Sequence, residues 1–327
     1  MAERTSNQYL LWGLQPLHSA LNTSCTVIVL NYNGEHLLPA CLESLARQTG
    51  ADIDTVVVDN GSSDGSAALV AQNYPWVRFL ALGKNCGFCL ANNIALREAL
   101  DRGSNYALLL NNDTFAAPDF ISQMLAVIQS DSRIAAVCPK IYFAHQPDLL
   151  WYAGGDFSLW TSATKHRGWK EIDRGQFDGR HEITQATGCA MLVRRSALDD
   201  VGFLDEQFWI YAEDLDWSLR FLKRGYRLVF APQARLWHLD GATNVKSLGS
   251  GSEARRQFLS TRNMIFLARK HVHWWQVPTY VVGFLLNHVA FYTALRLWRR
   301  DFRAVGAIYR GLVRGLGTSL VSATYDT

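Results

Sequence analysis

Four continuous apolar runs mark the first third of the chain: Thr26–Leu30, Thr55–Val58, Val77–Leu82 and Tyr106–Leu110. None alternates apolar with polar residues, as a half-exposed strand does. Continuous runs of this length predict strands covered on both faces. Between them the period lengthens. His36–Gln48 carries Leu37, Leu38, Cys41, Leu42 and Leu45 on one stripe, Ser66–Asn73 is a short helical stretch, and Ala91–Leu100 is alanine-rich. Strands separated by helices at this spacing predict βαβ units. The expected fold is therefore α/β, with a mostly parallel Rossmann-like central sheet and helices on both faces.

Beyond Asn111-Asn-Asp113 the pattern loosens. Pro118–Ile128 reads as a helix and Val137–Phe143 as a strand. Residues 144–185 mix glycine, aromatic and charged side chains without a clear period, and read as a loop-rich acceptor region. Gly188–Val193 restores a buried strand, Ala212–Arg224 is a helix striped by Leu215, Leu219 and Leu222, and Arg227–Ala231 returns as a strand. Trp274–Leu295 contains no Lys, Arg, Asp or Glu. Its length is near the roughly 20 residues that cross a bilayer, yet Gln276, Pro278, Asn287 and His288 interrupt it and both flanks are basic. Three readings stay open: an interfacial or re-entrant hairpin anchored by Trp274 and Trp275, a true span, and a buried or oligomer-forming helix. The predicted domains are an extension over 1–24, a catalytic domain over 25–245 and a basic, aromatic helical region over 246–327. The catalytic domain divides into a donor half (about 25–115) and an acceptor half (about 116–245).

A net charge of +3 over 327 residues gives no case for nucleic acid, but its distribution is uneven. From Ala254 onward there are 11 Lys and Arg against two acids, whereas the rest of the chain has 21 basic and 27 acidic residues. An acidic body with a basic tail suits a domain held near anionic lipid, with a homo-oligomer through the tail as the other use of that surface. The six cysteines include only one C-x-x-C, Cys86 to Cys89, which reads as packing in a reducing compartment. Tyr9–Leu14 is too short and too soon interrupted for a signal peptide. The expected location is cytoplasmic, on the inner face of the plasma membrane.

In an open parallel sheet, ligands bind beyond the carboxyl ends of the strands. Those ends here are polar: Asn31-Tyr-Asn-Gly34, Asp59-Asn-Gly-Ser-Ser-Asp-Gly65 and Asn111-Asn-Asp113. No G-x-G-x-x-G follows the first strand and no P-loop occurs anywhere, which disfavours dinucleotide dehydrogenases and P-loop NTPases. Asp59 suits a nucleobase or ribose, or simply a turn. Asp113 suits a divalent cation already carrying diphosphate oxygens, or a helix cap. Glu213-Asp-Leu-Asp216 opens a helix, where acids are favoured by the dipole. Within it Asp216 and Arg220 are spaced i, i+4 for a helix-stabilising pair, which leaves Asp214 as the candidate base. His238 is a lone histidine unless it faces the same metal as Asp113.

These clusters occur in an order that resembles glycosyltransferase family 2, in particular its rhamnosyltransferase-like branch with a GT-A type fold. The matching runs are Val27–Gly34, Val58–Gly65, Asn85-Cys-Gly-Phe88 with Asn92-Asn93, Leu109–Thr114, Thr187–Arg194, Gly202–Asp205, Glu213–Asp216 and Trp237-His238. The resemblance implies a nucleotide-sugar donor and a glycan or lipid-linked acceptor. It implies Asp59 on the base, with Asn31, Asn33, Gly87 and Asn112 on the donor side. Asp113 and His238 would hold Mg2+ or Mn2+. Asp214 would be the catalytic base with Glu213 beside it, and Gly188 and Trp209 would lie in the acceptor region. The metal motif departs from the family's in having one acid, Asp113. Two other classes compete: a non-catalytic nucleotide-sugar or polysaccharide-binding subunit, and a nucleotidyltransferase, which would need a basic glycine-rich loop that Asn31-Tyr-Asn-Gly34 is not.

Overall fold

The computed structural model describes residues 25–239 and 252–320. The predicted extension over 1–24 and the boundary at 245/246 lie outside the described residues. The first half is βαβ as the runs predict: β1 (Cys25–Asn31), α1 (Leu38–Ala46), β2 (Ile53–Asp59), α2 (Ser66–Asn73), β3 (Arg78–Ala81), α3 (Gly87–Asp101) and β4 (Tyr106–Asn111). Strands β3, β2, β1 and β4 are neighbours in that order, all parallel. Val27, Ile28, Val29, Val56, Val57 and Val58 are fully or almost fully buried, as continuous apolar strands between two helical layers must be.

The second half turns the sheet mixed. After β5 (Thr114–Ala116) and α4 (Phe120–Gln129) come β6 (Ile134–Phe143), β7 (Gln146–Tyr152), β8 (Gly155–Phe157), β9 (Thr164–His166), β10 (His181–Ile183) and β11 (Ala190–Arg194). Then follow α5 (Arg195–Val201), α6 (Glu213–Lys223) and β12 (Arg227–His238). Strand β11 runs antiparallel between β4 and β6, and β12 lies parallel to β6. The region over 144–185 is not loop alone: it holds β7 to β10, each short. The last strand also outruns the predicted Arg227–Ala231. Its ladder with β6 shifts register between Ala231 and Arg235, where Pro232 has no amide to donate, and then resumes to His238. His238 therefore ends the last strand instead of following it.

Four helical elements complete the described chain: α7 (Ser252–His271), α8 (Val277–Phe284) running through a π-helical turn (Leu285–Ala290) into α9 (Phe291–Trp298), and α10 (Phe302–Gly317). Helix α7 belongs to the catalytic body. Its Met264, Ile265, Phe266 and Leu267 are buried in the same core as the sheet. Helix α10 lies against it closely enough that a Cβ on Gly311 would meet the Phe258 carbonyl at 2.6 Å.

Candidate active site

The parallel register sets the donor-side tips. Asn31 pairs with Asp59 across β1 and β2. Asn31 Nδ2 donates to Asp59 Oδ1 (3.1 Å) and Asn112 Nδ2 donates to Asn31 Oδ1 (2.7 Å), while the Ser62 amide donates to Asp59 Oδ2 (3.0 Å). All three side chains are buried, so this chain of hydrogen bonds ties the tips of β1, β2 and β4 together. Asn33, at φ 51°, accepts from the Ser63 amide (2.8 Å) and lines a separate cleft with Glu35, His36 and Asp64.

The pairing of β5 with β12 brings Asp113 to His238. Thr114 is in register with His238, and the Leu239 amide donates to the Asp113 carbonyl (2.9 Å). The side chains then meet, His238 Nε2 to Asp113 Oδ1, at 3.2 Å, with both residues buried. Burial works against charge on the His238 ring, yet the Cys189 sulfur and the Asp113 carboxylate outweigh it and hold the imidazole well above its ordinary value. Trp151 packs its edge against the ring at 4.9 Å.

The acids of α6 are presented by a strained loop. Trp209, Tyr211 and Ala212 all have positive φ (66°, 75° and 65°), uncommon for residues with a side chain. Helix α7 holds that conformation: Asn263 Nδ2 donates to the carbonyls of Phe208, Ile210 and Tyr211 (2.8, 2.9 and 2.7 Å), and Arg262 to those of Gln207 and Phe208. From the loop's end, Asp214 Oδ2 accepts from the Gly188 amide (3.0 Å) and Oδ1 from the Leu215 amide (2.8 Å). Burial raises Asp214 above the usual carboxylate range against those two amides. Burial and the neighbouring Asp214 charge push Glu213 further up, and its buried Oε2 has no hydrogen-bond partner among the described residues.

One cavity of about 330 Å³ collects these elements. It is lined by Gly87, Asn112, Asp113, Gly188, Trp209, Glu213, Asp214 and His238 of the predicted residues. Asn31 and Asp59 are not on its wall; they stand behind Asn112, joined to it by hydrogen bonds. Gly87 and Trp209, predicted on donor and acceptor sides, touch: a Cβ on Gly87 (φ +88°) would run into the indole at 2.7 Å. The Trp209 carbonyl also accepts from the amides of Phe88 and Cys89 at the start of α3.

The model of the family described as Glycosyl transferase family 2 matches residues 26–202, more than half of the chain. The chain belongs to glycosyltransferase family 2. It is similar to the N-acetylglucosaminyl-diphospho-decaprenol L-rhamnosyltransferase of Mycobacterium tuberculosis, at 28% identity over 77% of this chain and 86% of that one. It is also similar to the dTDP-rhamnosyl transferase RfbF of Shigella flexneri, at 24% identity over 77% and 82%. Among solved structures, a mannosyltransferase from Pyrobaculum calidifontis in complex with GDP-Man and Mn2+ shares the fold, with a TM-score of 0.53 and 16% identity over 90% and 87% of the two chains.

This glycosyltransferase thus has the GT-A type fold and uses a nucleotide-sugar donor. Its cavity also holds residues that the sequence did not single out: Tyr32, Asn60, Phe88, Tyr211, Arg255 and Arg256. Asn60 follows Asp59 in the strand-end cluster, and its Oδ1 accepts from the Cys86 amide (2.9 Å) to shape the loop before α3. That adjacency was the available signal. Nothing local points from α7 to the site, although Arg255 stands 6.0 Å from the Trp209 ring.

Proposed function

We propose that this glycosyltransferase moves L-rhamnose from dTDP-rhamnose, with inversion, onto a hydroxyl of a sugar carried on a lipid diphosphate. The carrying observation is that Asp214 lines the same cavity as the Asp113–His238 pair. The two rhamnosyl transferases that the chain resembles supply the donor and acceptor classes. In one displacement the acceptor oxygen bonds to the anomeric carbon as the bond to the nucleoside diphosphate breaks, and Asp214 takes the hydroxyl proton. Asp59 and Asn31 brace Asn112 on the nucleotide side from behind the cavity wall, Glu213 supports the base, and Gly188 fixes the Asp214 carboxylate.

Asp113 and His238 would offer a divalent cation two protein ligands, the imidazole giving up to solvent the proton it holds against Asp113. Their 3.2 Å separation is close to the about 3 Å between adjacent donors on an ion with about 2.1 Å bonds. Such an ion would neutralise charge on the departing diphosphate, with its other ligands drawn from phosphate and water. Chelation should abolish transfer and Mn2+ or Mg2+ restore it; transfer that persists at full rate in chelator refutes the cation role. The decisive variant is Asp214→Asn. It should keep nucleotide affinity and lose kcat by about 10²–10⁴-fold, and near-normal turnover would refute the assignment.

The tail reading is an enzyme lying on the cytoplasmic membrane surface. Val277–Trp298 is long and apolar enough to cross a bilayer and is mostly unburied. It is nevertheless tied to the catalytic body: Tyr280 Oη donates to the Met264 carbonyl (3.1 Å), Asn287 Nδ2 to the Thr161 carbonyl (3.2 Å), and Arg296 pairs with Glu253. A segment docked in this way favours lying in the interface with its apolar side outward. Trp274 and Trp298, each 80% exposed, suit the headgroup layer.

A further inference from the structure

Asp214 lines a second cavity as well. This one, about 440 Å³, is walled by the β8–β9 loop, the chain before β11, the start of α6 and the helices α7 and α9 with the π-helical turn between α8 and α9. Its size falls within the about 300–1,000 Å³ of ordinary small-molecule sites. Two features say what it would take. Gln185 lines the cavity and is 8% exposed, while its Oε1 is turned into the protein with no hydrogen-bond partner among the described residues. An amide at the wall of a cavity matches a sugar hydroxyl, which can both donate and accept. At the other side Phe291, 58% exposed, lines the same cavity, and Val282, Leu285 and Leu286 of the same helical run are exposed as well.

We propose that this second cavity is the acceptor subsite: it seats the hydroxyl-bearing sugar of an amphiphilic acceptor against Gln185, and the acceptor's apolar chain leaves over Phe291. The inference rests on the glycosyl-transfer reading and deepens it. With donor and acceptor cavities sharing Asp214, the base stands where the two substrates must meet. The wall between the cavity and solvent is made when the π-helical segment docks on the β8–β9 loop, through the Asn287–Thr161 hydrogen bond and the close approach of Gly283 to Thr161. The helical tail therefore completes the acceptor site.

The test uses the full chain, dTDP-rhamnose as donor and farnesyl-diphospho-N-acetylglucosamine as the acceptor probe. Ala163→Trp fills the cavity from a half-buried loop position, so the fold is kept, and it should raise the acceptor KM at least tenfold. Gln185→Leu removes the amide and should raise it roughly 3–10-fold. Phe291→Ala should raise it as well. Calorimetric affinity for dTDP should stay within twofold of wild type in all three. Wild-type transfer with unchanged acceptor KM in Ala163→Trp and Gln185→Leu would overturn the subsite and leave the transfer reading standing. A wild-type protein that neither binds dTDP nor transfers would overturn both.

Discussion

The first turn of α6 presents carboxylates on two sides, and the same residue type serves opposite ends there. Toward the catalytic cavity, Asp214 is held by two backbone amides and is raised by burial. Toward α7, Asp216 is fully buried and receives Arg220 Nε (2.9 Å), Lys270 Nζ (2.7 Å) and His271 Nε2 (2.8 Å). Burial alone would raise Asp216 too, but His271, Arg220 and Lys270 hold it well below the usual range. Both acids gain from the helix dipole, worth about 0.3–1 kcal/mol, which is too small and too similar to separate them. The cations make the difference. A carboxylate saturated by cations is structural, and one half-buried on neutral donors at a cavity wall is available to take a proton.

That contrast is broken most directly by paired asparagines. Asp214→Asn should cost about 10²–10⁴ in kcat and should change the melting temperature little, because losing the charge offsets the hydrogen bond lost where the new NH2 meets a backbone amide. Asp216→Asn should instead cost on the order of 3–5 kcal/mol of stability in urea, since removing one member of a buried network strands the others. If Asp216→Asn lost turnover without losing stability, the division of labour would be wrong.

The two sides also differ in the sign of their pH dependence. Asp216 is depressed, so its stabilisation is complete above an unfolded value of about 3.9 and is lost as pH falls below it. Asp216→Asn should flatten that acid limb of the stability curve. Asp214 is raised, so ionising it disfavours the fold as pH climbs from about 3.9 to its folded value. Transfer needs the ionised form, and the acid limb of kcat/KM should accordingly lie above about 3.9.

How legible each side was in the sequence follows from the range of its interactions. The parallel strands and their polar tips were readable because each is a local pattern, and Ser66–Asn73 was read to the residue. The Asp216–Arg220 pair was readable for the same reason, being one turn apart. Lys270 and His271 were not, because an ion pair between distant helices leaves no period. Strand β5 escaped as well: Thr114-Phe-Ala116 is too short to show alternation, yet its register is what sets Asp113 against His238. The pairing of those two came from the family resemblance. The strands within 144–185 escaped because three to seven residues with bulged registers carry little pattern.

The loop between α5 and α6 sharpens the comparison further. Asn263 carries three carbonyls of that loop on one amide, and Asn263→Ala should let Trp209, Tyr211 and Ala212 relax from positive φ. Displacing the base by even about 1 Å is enough for a roughly 10–100-fold loss of kcat. Asn263→Asp should be no better, because only one Asn263 side-chain atom, the donating nitrogen, serves all three carbonyls. Equal kcat in both variants and wild type would show that the loop holds itself.

The smallest effect separates the inner and outer sides of the tail. Cutting the chain at Arg269 is a poor test of membrane binding, because it also removes Lys270 and His271 from Asp216 and so unsettles α6. Substituting only outward residues avoids this. Trp274→Ser and Trp298→Ser change side chains that are 80% exposed and should leave urea stability and kcat on a soluble acceptor unchanged. Each removes a ring that gains on the order of 1.4 kcal/mol or more when buried in the headgroup layer, about tenfold in affinity for anionic vesicles. Undiminished vesicle binding in the double variant would refute the headgroup role of these two rings and leave membrane binding to the other exposed apolar residues of the tail, such as Leu286 and Phe291.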